Sequence, residues 1–149
     1  MLPANSTVLK SLELPVQYAI TNAGVVGQKQ ALEQLESALR GGLRLVQVRE
    51  KSFDTHERER FARQVVERCR DYGARVMING DTALAEAVVA DGVHLTGKQL
   101  MEIRCRPNLR WCAASCHDRH GIEKAELLGL DFIVLGPVKA TASHPDVRP

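Results

Sequence analysis

The stretch Leu43-Arg44-Leu45-Val46-Gln47-Val48-Arg49-Glu50-Lys51 is an apolar run that becomes polar towards its end. As a β-strand, it places alternate side chains on opposite faces. One face then carries Leu43, Leu45, Gln47, Arg49 and Lys51, and the other carries Val46 and Val48. Glu50 lies on the opposite face from Arg49 and Lys51, so it cannot neutralise them, and burying unpaired charge is costly. The strand therefore predicts an anionic ligand such as phosphate at its C-terminal end, or else a strand end that is simply hydrated.

The composition is that of an ordinary globular protein, with 149 residues, 44% of them hydrophobic, and a formal net charge of +2. The length suits one domain. Nucleic-acid binding is disfavoured because the charge is small and the sequence has no basic run and no array of stacking aromatics. No apolar run reaches the roughly 18 residues that span a bilayer, and residues 1–10 lack a signal-peptide pattern. We therefore expect a cytoplasmic protein without nucleic-acid or membrane partners, in which the four cysteines are reduced.

Strand-like and helix-like segments alternate along the chain with short connections. The apolar pattern predicts strands at 17–21, 43–49, 75–79, 92–95, 109–114 and 131–135. Helical spacing predicts a helix at 28–40 and a short one through Leu100 and Ile103. Further helices are predicted after the candidate N-caps Asp54, Asp81 and Asp118, the first as a capping box with Glu57.

Repeated βα units predict a parallel sheet with helices packed outside it. Two architectures fit this order, a doubly wound open sheet and a (β/α)8 barrel. No Gly-x-Gly-x-x-Gly motif follows a strand, which weakens the dinucleotide-binding form of the open sheet. Polar residues at the end of the second strand favour the barrel, because barrel enzymes place their chemistry there. Since such a barrel closes with eight units over ~200 or more residues, we expect an α/β fold of the TIM (β/α)8-barrel type that is truncated after its sixth strand.

A family resemblance rests on short motifs that occur in order along the chain. They are Tyr18-Ala19-Ile20-Thr21, Gln47-Val48-Arg49-Glu50-Lys51, Asn79-Gly80, Ala90-Asp91-Gly92-Val93-His94-Leu95, Ser115-Cys116-His117 and Gly136-Pro137-Val138. In these motifs the chain resembles the thiamine phosphate synthase superfamily, which includes the TenI-like thiazole tautomerases and has a (β/α)8-barrel fold. The resemblance implies a partial barrel domain at 15–149 after a linker or N-terminal extension at 1–14. That extension also resembles the linker after a Nudix hydrolase domain, so a fused Nudix domain and a second copy of the chain are the partner hypotheses.

The resemblance also implies a small phosphorylated heterocycle as the ligand. In the synthase, the residues that match Gln47, Arg49 and Lys51 hold the pyrimidine substrate and its diphosphate. Asn79 matches a further substrate-binding residue. These positions are therefore expected to bind substrate here.

Two magnesium-binding acids of the synthase have no counterpart in this sequence. Gly80 and Gln99 stand in their places. Hard divalent cations need charged oxygen ligands, so the resemblance implies no cofactor, or Mg²⁺ if the chain is nevertheless a synthase. The expected activity is therefore that of the metal-independent, TenI-like tautomerase branch.

His117 matches a histidine that moves protons on a thiazole carboxylate phosphate in that branch. An imidazole suits the role because it takes up and releases protons near neutral pH. The remaining matches to ligand-contacting positions are Ser115, Gly136, Thr141 and Ser143. His144 replaces a family lysine in the last motif, so a fixed positive charge is lost there.

Competing interpretations remain open at this point. A zinc site would draw on Cys105, Cys112, Cys116, His117 and His120. Structural zinc usually shows two complete ligand pairs, so we interpret the cysteines as small core residues instead, and His94 as a hydrogen-bonded structural histidine. For function, the alternatives are a thiamine phosphate synthase and a catalytically silent binding or regulatory domain, because fold alone does not decide activity.

Overall fold

The structure is a computed structural model that describes residues 13–138. Its strands are Ala19–Ile20 (β1), Leu45–Val48 (β2), Arg75–Asn79 (β3), Gly92–Leu95 (β4), Trp111–Cys116 (β5) and Phe132–Leu135 (β6). Its helices are Ala23–Val26 (α1), Gln28–Arg40 (α2), Thr55–Asp71 (α3), Thr82–Ala87 (α4), Gly97–Glu102 (α5) and Arg119–Leu127 (α6). Within this range no helix combines the length and apolar character needed to cross a bilayer.

The strands form one sheet in the order β1-β2-β3-β4-β5-β6, and every neighbouring pair is parallel. In a doubly wound sheet the strand order reverses at a switch point, and no reversal occurs among these strands. Parallel strands added in sequence order on the same side, with helices between them, are the arrangement found in a (β/α)8 barrel. The predicted fold class is therefore confirmed, with six of the eight strands present in the described chain.

The two faces of the sheet bury different sets of residues. On the outer face, Val46, Val48, Val76 and Ile78 pack with apolar residues of α2 and α3. On the inner face, Leu45, Met77 and Ala113 form a small core with Tyr18, Trp111 and Phe132 packed against it. The alternation predicted for the second strand is confirmed from Leu45 to Val48, and it directs Gln47 to the inner face.

Side-chain caps begin the helices where the sequence predicted them. The carboxylates of Asp54, Asp81 and Asp118 each accept a backbone N–H from the third residue of the helix that follows. Each cap satisfies a donor that has no partner within the helix. The reciprocal capping box, however, forms between Thr96 and Gln99 of α5.

Four of the six strands have boundaries that differ from the prediction, the first strand being the shortest at Ala19–Ile20, and two of the differences have a clear local reason. The second strand begins at Leu45, because the Leu43 N–H donates to the Ala38 carbonyl in the turn after α2. Leu43 therefore packs with Val46 on the helix side and not with Leu45. The fifth strand begins at Trp111 rather than 109, since Arg106 holds the carbonyls of residues 109 and 110 in the preceding loop.

Candidate functional site

A cleft of about 200 Å³ lies at the carboxyl ends of β2 and β3 and is lined by Val48, Arg49, Glu50, Lys51, Arg58 and Asn79. The side chains of Arg49 and Lys51 are exposed there. Within residues 13–138, neither cation lies within 4 Å of a carboxylate oxygen. The backbone N–H of Arg49 donates to Thr21 Oγ1 at 3.0 Å, which ties the strand end to the segment after β1. Of the three cations that line the cleft, Arg58 is bound to backbone carbonyls, so Arg49 and Lys51 remain to meet a ligand beside the Asn79 amide.

Glu50 has a structural role that sequence reasoning missed. Its side chain is 5% exposed, and its two oxygens accept the N–H groups of Ala23 and Gly24, each at 2.8 Å. Arg58 donates to the Glu50 carbonyl at 3.2 Å and to the Phe53 carbonyl at 2.8 Å. Glu50 thus holds the start of α1 and leaves Arg49 uncompensated, as its parity predicted. The signal in the sequence was a lone acid after a buried strand, which needs a partner if it is buried.

A chain of hydrogen bonds crosses the inner face of the sheet above its apolar core. Asn79 Nδ2 donates to Gln47 Oε1 at 2.8 Å, and Gln47 Nε2 donates to Tyr18 Oη at 3.1 Å. Tyr18 Oη lies 3.0 Å from His94 Nδ1, and His94 Nε2 lies 2.9 Å from Ser115 Oγ. The chain therefore connects three predicted site residues, Asn79, Gln47 and Ser115. It does so through Tyr18 and His94, which were not assigned to the site. The interpretation of His94 as a hydrogen-bonded residue is confirmed.

Burial keeps both of the connecting residues neutral. His94 is 2% exposed, and desolvation, with the nearby positive charge of Arg49, lowers its pKa to about 4. Desolvation also raises the pKa of the Tyr18 hydroxyl far above its usual value. At neutral pH the chain of hydrogen bonds therefore contains an uncharged imidazole and an un-ionised phenol.

We expect the free energy of unfolding to fall by up to about 3 kcal/mol as the pH is lowered from about 6.5 to about 4. The unfolded chain protonates His94 near its ordinary pKa of 6.5, whereas the folded chain resists protonation until about pH 4. Stability from the neutral ring is thus complete above pH 6.5 and is lost progressively through that window. Urea unfolding at several pH values measures the slope.

The matched comparison is His94→Gln, since an amide can accept from Tyr18 and donate to Ser115 without titrating. The variant is expected to lose less stability over this pH window than the wild type. His56→Gln changes an exposed histidine of α3 and serves as the control. Equal slopes for the wild type and His94→Gln would contradict the prediction.

His117 lies just after β5, with its ring exposed. Its Nδ1 lies 2.5 Å from the Gly136 carbonyl oxygen. A carbonyl only accepts, so Nδ1 carries the hydrogen and Nε2 of the neutral ring keeps its lone pair. The ring packs on Gly97, where an added Cβ would lie 3.1 Å from Cδ2 and 3.3 Å from Nε2. The ring is therefore held through Nδ1, and Nε2 makes no hydrogen bond to the residues that the structure describes.

The positions expected to hold magnesium are occupied by neutral groups in contact with each other. Gln99 Nε2 donates to the Gly80 carbonyl at 2.7 Å, and Gln99 Oε1 accepts from Thr96 N at 3.0 Å and Thr96 Oγ1 at 3.1 Å. A Cβ on Gly80 would lie 3.1 Å from Gln99 Oε1. The Gln99 oxygen and one of its two amide N–H groups are thus bound to protein groups, and neither residue offers a charged oxygen, so this pair does not fit a divalent cation. Across residues 13–138 there is no cluster of three or more His, Cys, Asp or Glu side chains suited to a metal ion.

The cysteines of the zinc hypothesis are separated by their environments. Cys112 and Cys116 are buried with apolar residues on the helix side of β5, and Cys105 is exposed. The interpretation as core residues is therefore confirmed for Cys112 and Cys116 and is wrong for Cys105. The predicted ligand contacts at Thr141 and Ser143, and the replacement at His144, lie outside the described residues.

Six parallel strands in sequential order, with polar side chains at their carboxyl ends, define a (β/α)-barrel protein whose polar residues collect where such barrels place their ligand sites. The chain belongs to the thiamine monophosphate synthase family, whose TMP-TENI family model matches residues 17–149. The family predicted from the motifs is therefore confirmed.

Individual relatives agree with this assignment. The chain is 38% identical over 141 residues to the putative thiamine-phosphate synthase 2 of Aquifex aeolicus, covering 93% of this chain and 75% of that protein. It is 38% identical over 129 residues to the putative thiamine-phosphate synthase of Geobacter sulfurreducens, covering 85% and 61%. The solved thiamine phosphate pyrophosphorylase of Pyrococcus furiosus superposes with a TM-score of 0.69 at 30% identity, covering 83% of this chain and 61% of that one. The chain thus spans about 61 to 75% of the length of these relatives.

Proposed function

We propose that this domain binds a small phosphorylated heterocycle of thiamine biosynthesis and tautomerises it without a metal ion, as TenI-like proteins do. The observation that carries the proposal is the contrast between two neighbouring parts of the site. Arg49 and Lys51 offer uncompensated positive charge beside Asn79, while Gly80 and Gln99 close the expected metal position with neutral groups. An anionic ligand is favoured by the first part, and catalysis by a bound cation is disfavoured by the second.

Each residue contributes a definite piece of chemistry in this proposal. Arg49 and Lys51 donate charge-assisted hydrogen bonds to the phosphoryl oxygens. Asn79, oriented by Gln47, contacts the heterocycle. His117 Nε2 accepts a proton from one atom of the heterocycle and returns a proton at another. The composition of the ligand is unchanged, so no oxidant, reductant or second substrate is needed.

The segment after β6 supplies the remaining contacts. The Gly136 carbonyl fixes the ring of His117. The hydroxyls of Thr141 and Ser143 are proposed to donate hydrogen bonds to the same anion. A fused Nudix domain and a second copy of the chain stay predictions.

The second candidate is the synthase reaction, and the names of the relatives favour it. The relatives in Aquifex aeolicus and Geobacter sulfurreducens are both called putative thiamine-phosphate synthases. In the synthase reaction a pyrimidine diphosphate joins the thiazole phosphate as diphosphate leaves. A divalent cation normally neutralises such a leaving group, and in this chain its ligands would have to come from residues other than Gly80 and Gln99.

The test measures conversion of the thiazole carboxylate phosphate in the presence of EDTA, and condensation with the pyrimidine diphosphate in the presence of Mg²⁺. We expect metal-free conversion and no condensation. Magnesium-dependent condensation would establish the synthase instead. Binding of the thiazole phosphate without either reaction would establish the silent binding domain.

The same assay with Arg49→Ala tests the anion site. The substitution removes a charge-assisted contact worth roughly 1.5–3 kcal/mol, so KM is expected to rise about 10- to 150-fold while kcat changes less. Arg60→Ala removes an exposed arginine of α3 outside the cleft and serves as the control. An unchanged KM for Arg49→Ala would remove this residue from the site.

A further inference from the structure

The hydrogen-bonded chain from Asn79 to Ser115 has a direction, because not every one of its atoms can both donate and accept. The chain begins at an amide, since Asn79 Nδ2 donates to Gln47 Oε1 and Gln47 Nε2 then donates to Tyr18 Oη. Both amides are therefore oriented by their partners. The Tyr18 oxygen receives a hydrogen from Gln47, and its own hydrogen is directed elsewhere.

His94 Nδ1 lies 3.0 Å from Tyr18 Oη and can accept this hydrogen. The imidazole is buried and neutral, so it has one protonated and one unprotonated nitrogen. If Nδ1 accepts from Tyr18, the hydrogen of the ring lies on Nε2. Nε2 then donates to Ser115 Oγ at 2.9 Å.

The opposite direction leaves the hydrogen of the half-buried Tyr18 hydroxyl without a protein partner. If Ser115 donated to Nε2, Nδ1 would donate to Tyr18 Oη, which already accepts from Gln47. The Tyr18 hydrogen would then have no acceptor among the residues that the structure describes. An unsatisfied buried polar group costs about 1–3 kcal/mol, so the first direction is preferred.

We propose that Tyr18 and His94 are positioning residues that make the Ser115 hydroxyl a hydrogen-bond donor to the bound heterocycle. Ser115 is half-buried, and His94 is its hydrogen-bond partner within residues 13–138. Because the serine oxygen accepts from His94, its hydrogen is directed towards the ligand. The site therefore selects a ligand with an oxygen or an unprotonated ring nitrogen at this point, and rejects one with an N–H group there. The identity of the ligand in this role rests on the proposed function, whereas the direction of the hydrogen bonds does not depend on it.

The direction is measured on the ligand-free protein by NMR of the ¹⁵N-labelled histidine side chains, because protonated and unprotonated ring nitrogens have distinct chemical shifts. The signals of His94 are assigned by their loss in His94→Gln. We expect Nε2 to be protonated and Nδ1 unprotonated, with no change between pH 6 and 8. A protonated Nδ1 with an unprotonated Nε2 would overturn the proposal.

Tyr18→Phe removes the hydroxyl while retaining the ring that packs edge-on against Phe132. We expect the His94 spectrum to change to a mixture of tautomers. The chain contains one other tyrosine, Tyr72, whose hydroxyl donates to Glu36 on the helix surface. Tyr72→Phe thus removes the same atom elsewhere and is expected to leave the His94 spectrum unchanged. An unchanged spectrum in Tyr18→Phe would overturn the positioning role.

Ligand binding provides the second measurement, with the thiazole carboxylate phosphate as the probe. Ser115→Ala and Tyr18→Phe are each expected to raise its Kd about 3- to 10-fold. The double variant is expected to have a Kd no higher than that of the single variant with the larger effect. His94→Gln, which retains both hydrogen bonds, is expected to bind more tightly than His94→Leu. Fully additive effects would overturn the coupling. If the probe does not bind the wild type at all, the proposed function fails, and the NMR result still decides the direction.

Discussion

Gly92→Ala is expected to prevent stable folding, with a loss of at least about 4 kcal/mol in the free energy of unfolding. Gly92 pairs with Trp111 across β4 and β5. A Cβ on Gly92 would lie 2.0 Å from the Trp111 carbonyl oxygen and 2.7 Å from its carbonyl carbon. These are backbone atoms in the middle of the sheet, so no flexible side chain can move aside. Relief requires the two strands to separate, which also displaces His94 and Ser115. Urea unfolding followed by far-UV circular dichroism measures the effect.

Gly41→Ala is the matched control. Gly41 has φ −78°, an ordinary helical value, and the nearest atom to an added Cβ is the Ala38 carbonyl oxygen at 3.4 Å. We expect its stability to stay within about 1 kcal/mol of the wild type. If Gly92→Ala unfolds at the same urea concentration as the wild type, the close approach of β4 and β5 at this position is disproved.

The sequence predicted those features of the fold that depend on a local, repeating pattern of residues. Alternation of apolar residues predicted the inner and outer faces of β2, because one side of the strand packs on helices and the other on the inner core. The order of the strands and of the longer helices was also predictable, since three of the helices begin at aspartate caps, whereas the short helix α1, which has no side-chain cap, was not predicted. Leu43 was placed on the wrong face because the turn after α2, not the strand period, sets its direction.

Contacts between distant residues were not predictable in the same way. Glu50 binds backbone groups 26 and 27 residues away, and Tyr18 contacts His94 across 76 residues. No local period encodes such pairs. The absence of the two acids was visible in the sequence, but the direct contact between Gln99 and Gly80 was not. Because of that contact, the position expected to hold magnesium not only lacks carboxylates but is also filled by the Gln99 side chain.

His117→Ala is expected to lower kcat for metal-free conversion by about 10²- to 10⁴-fold, the usual contribution of a positioned general acid or base. The reason is the orientation of the ring, in which the Gly136 carbonyl holds Nδ1, so that Nε2, without a hydrogen bond within residues 13–138, is the nitrogen proposed to exchange the proton. KM should change much less, because the proposed contacts to the phosphoryl group belong to Arg49 and Lys51. Steady-state kinetics in EDTA separates the two parameters.

A second variant distinguishes proton transfer from support of the loop. In His117→Gln an amide can still donate to the Gly136 carbonyl, but it cannot exchange a proton near neutral pH. If His117 transfers the proton, the glutamine variant is as inactive as the alanine variant. If His117 only holds the loop at Gly136, the glutamine variant recovers activity and the alanine variant does not. His120→Ala, an exposed histidine in the first turn of α6, is the control and should retain wild-type kcat. Recovery of activity in His117→Gln would therefore assign the proton transfer to another group.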